Sequence, residues 1–297
     1  MSLADQVSID VDVHAHLAPF NGHDAPLFRG IASDGEALVV DGHRLGILDL
    51  YRPERLVAWM DERRIARALI SIPPPLYRQQ LDEADSDAWA CKVNDGLLAI
   101  ADASKGRLEA LFHLPMEYPA LACRLLRDLA PSPFTGVALS AGGNPKIDYA
   151  DPLHDDLWAE LESRSAFVFL HPGACCDGRL APFYLENLLG NPYETGVTAC
   201  QLVMAGVPGR YRKIRFCLAH AGGVFPAIVG RLEHGFDTDR PGLPIAVERP
   251  LAAARRLSAD CITHHPGALR LATEIFGDEN ILFGSDWPFP MGLRDVS

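Results

Sequence analysis

Short runs of apolar and β-branched residues alternate along this chain with longer stretches whose apolar positions recur every three to four residues. The short runs are "SIDVDVHAH" (8–16), "ARALISI" (66–72), "LEALFHL" (108–114), "GVALSA" (136–141), "AFVFLH" (166–171), "KIRFCLAH" (213–220), "DCITHH" (260–265) and "NILFGSD" (280–286). Helical patterns fall at 53–63, 86–103, 117–129, 152–163, 193–206, 223–235, 246–257 and 267–276. Several begin with proline near the first turn, as at Pro53-Glu54 and Asp151-Pro152. Strands separated by helices require parallel crossovers, and eight of them predict an α/β fold of the (β/α)8 barrel type. A doubly wound open sheet is the rival, but no G-x-G-x-x-G follows the first strand.

Two irregularities modify this frame. Residues 17–52 form an insertion rich in Gly, Asp and Pro, with a β-like "EALVV", and read as a lid or substrate loop. Strand eight finishes near Asp286 and the sequence stops at Ser297, so the last helix of the barrel is expected to be missing. The whole chain, 1–297, reads as one barrel domain.

The net charge of −12 and the lack of any Lys/Arg run argue against nucleic acid or an anionic membrane as the main partner. The seven cysteines are odd in number and irregularly spaced, with no C-x-x-C, which predicts buried reduced thiols in a cytoplasmic protein. "MSLADQVSID" lacks a basic region followed by an apolar one, and no apolar run approaches the roughly 18 residues of a membrane span.

The chemistry gathers where strands end. In a strand, residues i and i+2 share a face, so His14 and His16 project together on the face of Asp10 and Asp12. With 11 histidines, chance supplies roughly 0.4 such pairs, so the pair alone decides nothing. Strand five, however, ends at His171 before Pro172-Gly173, and strand six at His220 before "AGG". Strand seven ends at His264-His265, and strand eight at Asp286 after Gly284-Ser285. Barrel enzymes carry their chemistry at this end of the strands. Three neutral imidazoles and a carboxylate suit a divalent ion, zinc first, with manganese, cobalt or iron behind it.

The order H-x-H, "HPG", "HAGG", "GSDWPFP" resembles the amidohydrolase superfamily. Within it, the chain is similar to the amidohydrolase-2 branch of metal-dependent decarboxylases that act on 2-amino-3-carboxymuconate semialdehyde and related acids. The resemblance implies His14, His16, His171 and Asp286 as metal ligands and His220 as the acid/base residue. It also implies one metal: binuclear members bridge two ions through a strand-four lysine, whereas "GVALSAGG" has none and Lys146 follows in solvent.

The same resemblance gives roles to two arginines. Arg44, nine residues before Pro53, and Arg231, eleven after His220, would bind substrate carboxylate, with Arg231 reaching into a neighbouring subunit of a homodimer. The implied reaction is non-oxidative decarboxylation of a small unsaturated or aromatic acid. It would use metal-bound water, with His220 and Asp286 moving protons. A hydrolase of a dicarboxylic lactone or ester, or a hydratase, would use the same ligands. His265 reads as a polar loop residue, and Trp287, Pro288 and Phe289 as packing beneath the site.

Overall fold

Alternation in the first run produces β1 (Ile9–His16), whose burial deepens along its length: Asp10 is exposed, whereas Asp12 through His16 are buried. The structure, a computed structural model, describes residues 8–130, 134–238, 240–243 and 247–293. The N-terminal segment inspected for a leader, residue 246 at the start of one helical stretch, and the terminus at Ser297 lie outside the described residues.

The insertion after β1 carries a three-stranded antiparallel sheet of β2 (Ile31–Asp34), β3 (Ala37–Val40) and β4 (His43–Leu45). Ala37, Leu38, Val40 and Leu45 are its buried positions. From there strands and helices alternate. First come α1 (Pro53–Arg63), β5 (Ile65–Ser71), α2 (Glu83–Ala103), β6 (Leu108–His113), α3 (Pro119–Leu129), β7 (Gly136–Ser140), α4 (Asp155–Ser163) and β8 (Phe167–His171). They continue with α5 (Asn191–Met204), α6 (Val207–Arg210), β9 (Arg215–Leu218), α7 (Phe225–Asp237), α8 (Pro250–Ala254), β10 (Ser258–Asp260), α9 (Pro266–Phe276) and β11 (Ile281–Leu282).

Eight strands hydrogen-bond in the order β1-β5-β6-β7-β8-β9-β10-β11, with helices in the crossovers: the (β/α)8 barrel that the pattern predicts. The chain beyond β11 returns to the first strand. Val13 N–H donates to the Phe283 carbonyl at 2.9 Å, His16 N–H donates to that of Trp287 at 2.8 Å, and Ala15 bridges Trp287 in parallel.

Contacts within the chain define two compact units. One holds the residues up to Leu76, Cys91–Leu111 and those from Phe283 on; the other holds Tyr77–Ala90 and Phe112–Leu282. Leu17, Leu50, Leu56 and Met60 are fully buried in the first. In the second, Trp158 meets Tyr149 at 5.7 Å and Phe216, edge-on, at 5.7 Å between ring centroids. Strands this short bury all their residues, as β7 and β8 do, because a parallel sheet is covered on both faces.

Three expectations need correction. The seventh strand is Ser258–Asp260, not 260–265, so Asp260 stands at its tip while His264 and His265 are exposed. The reason is the helix that follows. Pro266 opens α9, and His265 is extended as its N-cap, with Nδ1 accepting the Gly267 N–H at 3.0 Å. The stretch 246–257 yields only the short α8, which starts at Pro250 and stops at Ala254. The thiols also divide: none of the seven is in a disulfide, but Cys123 and Cys217 alone are buried and Cys176 is exposed. No helix among the described residues is long and apolar enough to cross a membrane.

Candidate metal centre

In the first unit the candidate residues sit on β1 and on the turn after β11. His14 and His16 are fully buried, and their rings meet edge-on with centroids 5.1 Å apart. A register shift in the β1–β5 pairing falls between Asp12 and Ala15, where a bulge re-aims side chains. Asp12 fastens this turn of chain. Its Oδ1 accepts the N–H of His14 and of Ser285, both at 3.0 Å. Burial pushes the Asp12 carboxyl up to about 6 in spite of its hydrogen bonds with Ser285 and His14.

Asp286 takes a left-handed backbone, φ 56°, held by its N–H donating to the His14 carbonyl at 2.7 Å. A non-glycine residue in that conformation costs on the order of 1–3 kcal/mol and persists where the surroundings impose it. Phe289 packs edge-on against His16 at 5.2 Å and Trp287 is buried, so the "WPFP" turn packs against the site as expected.

Three ligand-type atoms converge here. His14 Nε2 lies 3.1 Å from His16 Nε2, and Asp286 Oδ1 stands 3.3 and 3.4 Å from the two nitrogens. His16 Nδ1 faces the Ile72 carbonyl at 3.3 Å and Ser71 Oγ at 3.1 Å. A carbonyl only accepts, so Nδ1 carries the hydrogen and Nε2 presents a lone pair. Burial holds the His16 imidazole below its ordinary value, hence neutral. Burial alone would raise Asp286, but facing His14 and His16 it is held well below the usual carboxylate range. Its buried Oδ1 nonetheless makes no hydrogen bond of good geometry.

In the second unit the candidate residues sit at the ends of β8, β9 and β10. His171, the last residue of β8, has Nδ1 at 2.9 Å from the Pro172 carbonyl, which again leaves Nε2 as a lone pair. His220 follows β9, half-buried, with its ring 5.2 Å from that of His171. His220 and Ala221 both lie in the left-handed region, at φ 53° and 51°. Asp260 secures them: its carboxylate accepts the N–H of His220 at 2.9 Å, of Ala221 at 2.8 Å and of Ile262 at 3.0 Å.

A second carboxylate braces the loops on either side of His171. Glu194 of α5 accepts the Gly143 N–H at 3.3 Å and the Cys176 N–H at 3.1 Å. Gly173 follows His171 where a Cβ would stand 2.6 Å from Gln79 Oε1 and 2.8 Å from the Tyr77 ring, so only glycine fits.

His14, His16, His171 and Asp286, all buried, each offer one ligand atom, and these four atoms lie within 4.8 Å of one another. His16 and His171 present Nε2 lone pairs and Asp286 a carboxylate oxygen, and the donor set of three imidazoles and one carboxylate suits a divalent transition metal. Neither arginine belongs to this group of four. Arg44 is exposed on β4, its Nε paired with Asp34 across the hairpin at 2.7 Å. Arg231 is exposed on α7. Lys146 is exposed, as expected.

Asp260, Glu194 and Ser71 escape a reading of motifs. Each acts through main-chain amides or an outer imidazole nitrogen, and "SAD" and "IS" carry no spacing that signals such a role. Correct placement of the seventh strand would have exposed Asp260.

Residues 11–297 match the family model described as Amidohydrolase. The chain is 26% identical over 300 residues to a 2-amino-3-carboxymuconate-6-semialdehyde decarboxylase of Dictyostelium discoideum, covering 96% of this chain and 83% of that protein. In fold it is similar to the crystal structure of 5-carboxyvanillate decarboxylase from Sphingomonas paucimobilis. There the TM-score is 0.77 at 21% identity, over 95% of this chain and 89% of the other. A dihydroxybenzoic acid decarboxylase from a Polaromonas species, solved with bound manganese and 2-nitroresorcinol, has a TM-score of 0.74 at 20% identity, over 97% and 89%.

Proposed function

Because this chain belongs to the amidohydrolase family, we propose that it is a metal-dependent, non-oxidative decarboxylase of a small unsaturated or aromatic carboxylic acid. The observation that carries the reading is the buried group of His14, His16, His171 and Asp286, whose ligand atoms lie within 4.8 Å of one another. These four residues would hold one divalent ion, zinc or, as in the Polaromonas enzyme, manganese. When bound, the ion supplies a Lewis acid that draws electron density from a substrate oxygen.

The chain's own residues handle the protons. His220 stands beside His171 on a backbone fixed by Asp260, which suits a group that must meet one carbon at one angle. It gives a proton to the carbon bearing the carboxylate. The bond from that carbon to the carboxylate then breaks, its electron pair restores the double bond whose electrons took up the proton, and carbon dioxide leaves. Asp286, ionised and buried, orients the His14–His16 pair and shares in the proton transfer. Arg44 and Arg231 hold the substrate's carboxylates in this reading, and the exposure of Arg231 on α7 is consistent with service to a neighbouring subunit of a homodimer.

The test is carbon dioxide release from 2-amino-3-carboxymuconate semialdehyde and from 2,6-dihydroxybenzoate by protein loaded with zinc or with manganese. Release from either that stops on chelation and returns with metal supports the proposal. Protein that binds one metal per chain and releases none from either acid overturns it and points to hydrolysis of the corresponding lactones.

A further inference from the structure

The second unit has a cleft of about 390 Å³ at the end of its strands opposite to His171. Phe167, Arg215 and Ser258, the first residues of β8, β9 and β10, contribute to its walls. Arg212, Arg255 and Arg256 join Arg215, so four arginines line one concavity, and among the described residues no Asp or Glu does.

The four differ in how their charge is met. Arg256 is gripped by both carboxylate oxygens of Glu248, at 2.6 and 2.8 Å. Arg255 donates to the Glu274 main-chain carbonyl at 2.6 Å and Arg212 to that of Gly209 at 3.2 Å. Arg215 lies over the Phe167 ring at 5.7 Å. A carbonyl or an aromatic face orients a guanidinium without cancelling its charge. Among the described residues, Arg212, Arg215 and Arg255 therefore share the cleft without a salt-bridged carboxylate, in a chain whose net charge is −12. The sequence supports the concentration. Arg210-Tyr211-Arg212-Lys213-Ile214-Arg215 holds four cations in six positions, which a search for unbroken basic runs passes over.

Like charges held together are unfavourable until an anion joins them, and a multiply charged anion meets all three at once. Guanidinium forks match phosphate oxygens in pairs, and the volume lies within the usual range for small-molecule sites. A simple dicarboxylate would leave one of the three unmatched. We propose that this cleft binds a small molecule carrying two or more phosphates, with the phosphates on Arg212, Arg215 and Arg255. The site is separate from the His/Asp group and does not depend on the decarboxylase reading.

Calorimetric titration of the metal-loaded protein tests this with three probes that extract metal poorly: adenosine 3′,5′-bisphosphate, fructose 1,6-bisphosphate and succinate. The expected result is millimolar or tighter binding of a bisphosphate, with succinate about tenfold or more weaker. Tighter binding of the adenosine compound would show that the base is read as well, and equal binding that the phosphates alone are read; both support the site. Arg255→Gln and the double variant Arg215→Lys/Arg255→Gln should lose about tenfold or more. Arg67→Ala, which alters a half-buried arginine already paired with Glu109, should bind as the parent does. Absence of bisphosphate binding up to about 5 mM overturns the proposal, as does equal affinity for succinate or undiminished binding by the double variant.

Discussion

Asp260 accepts the main-chain N–H of His220 across forty positions of sequence, at 2.9 Å, and so fixes the backbone of a residue that stands beside His171. The same carboxylate takes the amides of Ala221 and Ile262. A hydrogen bond to a charged group contributes roughly 1.5–3 kcal/mol, and losing the acceptor strands buried donors. Asp260→Ala should therefore lower stability by about 3 kcal/mol or more, whereas Asp260→Asn, which keeps one acceptor oxygen, should lose about half as much. The urea midpoint measures both, and an unchanged midpoint in the alanine variant would contradict this role.

Ser71 stands 3.1 Å from His16 Nδ1, on the side of the ring turned away from Asp286. Removing an outer partner of a ligating histidine costs roughly 10–100-fold in metal affinity. Ser71→Ala should fall near the lower limit, because the Ile72 carbonyl remains at 3.3 Å. His16→Ala should lose more than any outer variant. Competition against a chromophoric chelator gives the affinities, and stripping the metal should lower the melting temperature of the parent protein in proportion to metal bound. Equal affinity in His16→Ala and parent would remove His16 from the ligand set.

Burial raises the Glu117 carboxyl to about 7 from an ordinary 4.5, against weaker opposing effects of its backbone, Gln79 and Lys146. The folded protein thus keeps a proton that the unfolded chain releases, and stability falls as pH rises from 4.5 to about 7. His113 does the reverse. Burial lowers it from 6.5 to about 4, so its contribution is lost as pH falls through that window. Glu117→Gln should match the parent below pH 4.5 and exceed it by about 3 kcal/mol at pH 8, at roughly 1.4 kcal/mol per unit between. Urea unfolding across pH 4 to 8 gives the difference curve, and a flat one would refute the assignment.

Glu194 joins two loops through the Gly143 and Cys176 amides. Glu194→Ala leaves both donors without their acceptor, and a loss of about 2–4 kcal/mol is expected. Glu194→Gln can satisfy only one of them. Amide exchange at Gly143 and Cys176 should accelerate in the alanine variant ahead of global unfolding. Unaltered exchange at both amides would show that the loops hold without the carboxylate.

Much of this protein is written locally. Apolar runs of strand length, separated by stretches of helical period, determined the alternation of strands and helices. Pro53, Pro119 and Pro266 marked helix starts because a fixed φ and a missing N–H suit the first turn. His14 and His16 were legible as a pair because alternation in a strand sets their common face. His171, His220 and Asp286 were legible because each follows a strand and precedes a turn.

What no local pattern contains is which distant backbone groups meet. The seventh strand was misplaced because "SAD" has little β character, and pairing with β9 decides that it is a strand. Asp260 at its tip thereby reaches His220. Ser71 reaches His16 because β5 runs in register beside β1, His16 opposite Ser71. Arg255 lies forty positions after Arg215 and joins it and Arg212 in one cleft only in the folded chain. Side-chain period is a property of a few consecutive residues, whereas hydrogen bonds to amides and the sum of charges depend on chain segments that only tertiary packing brings within reach.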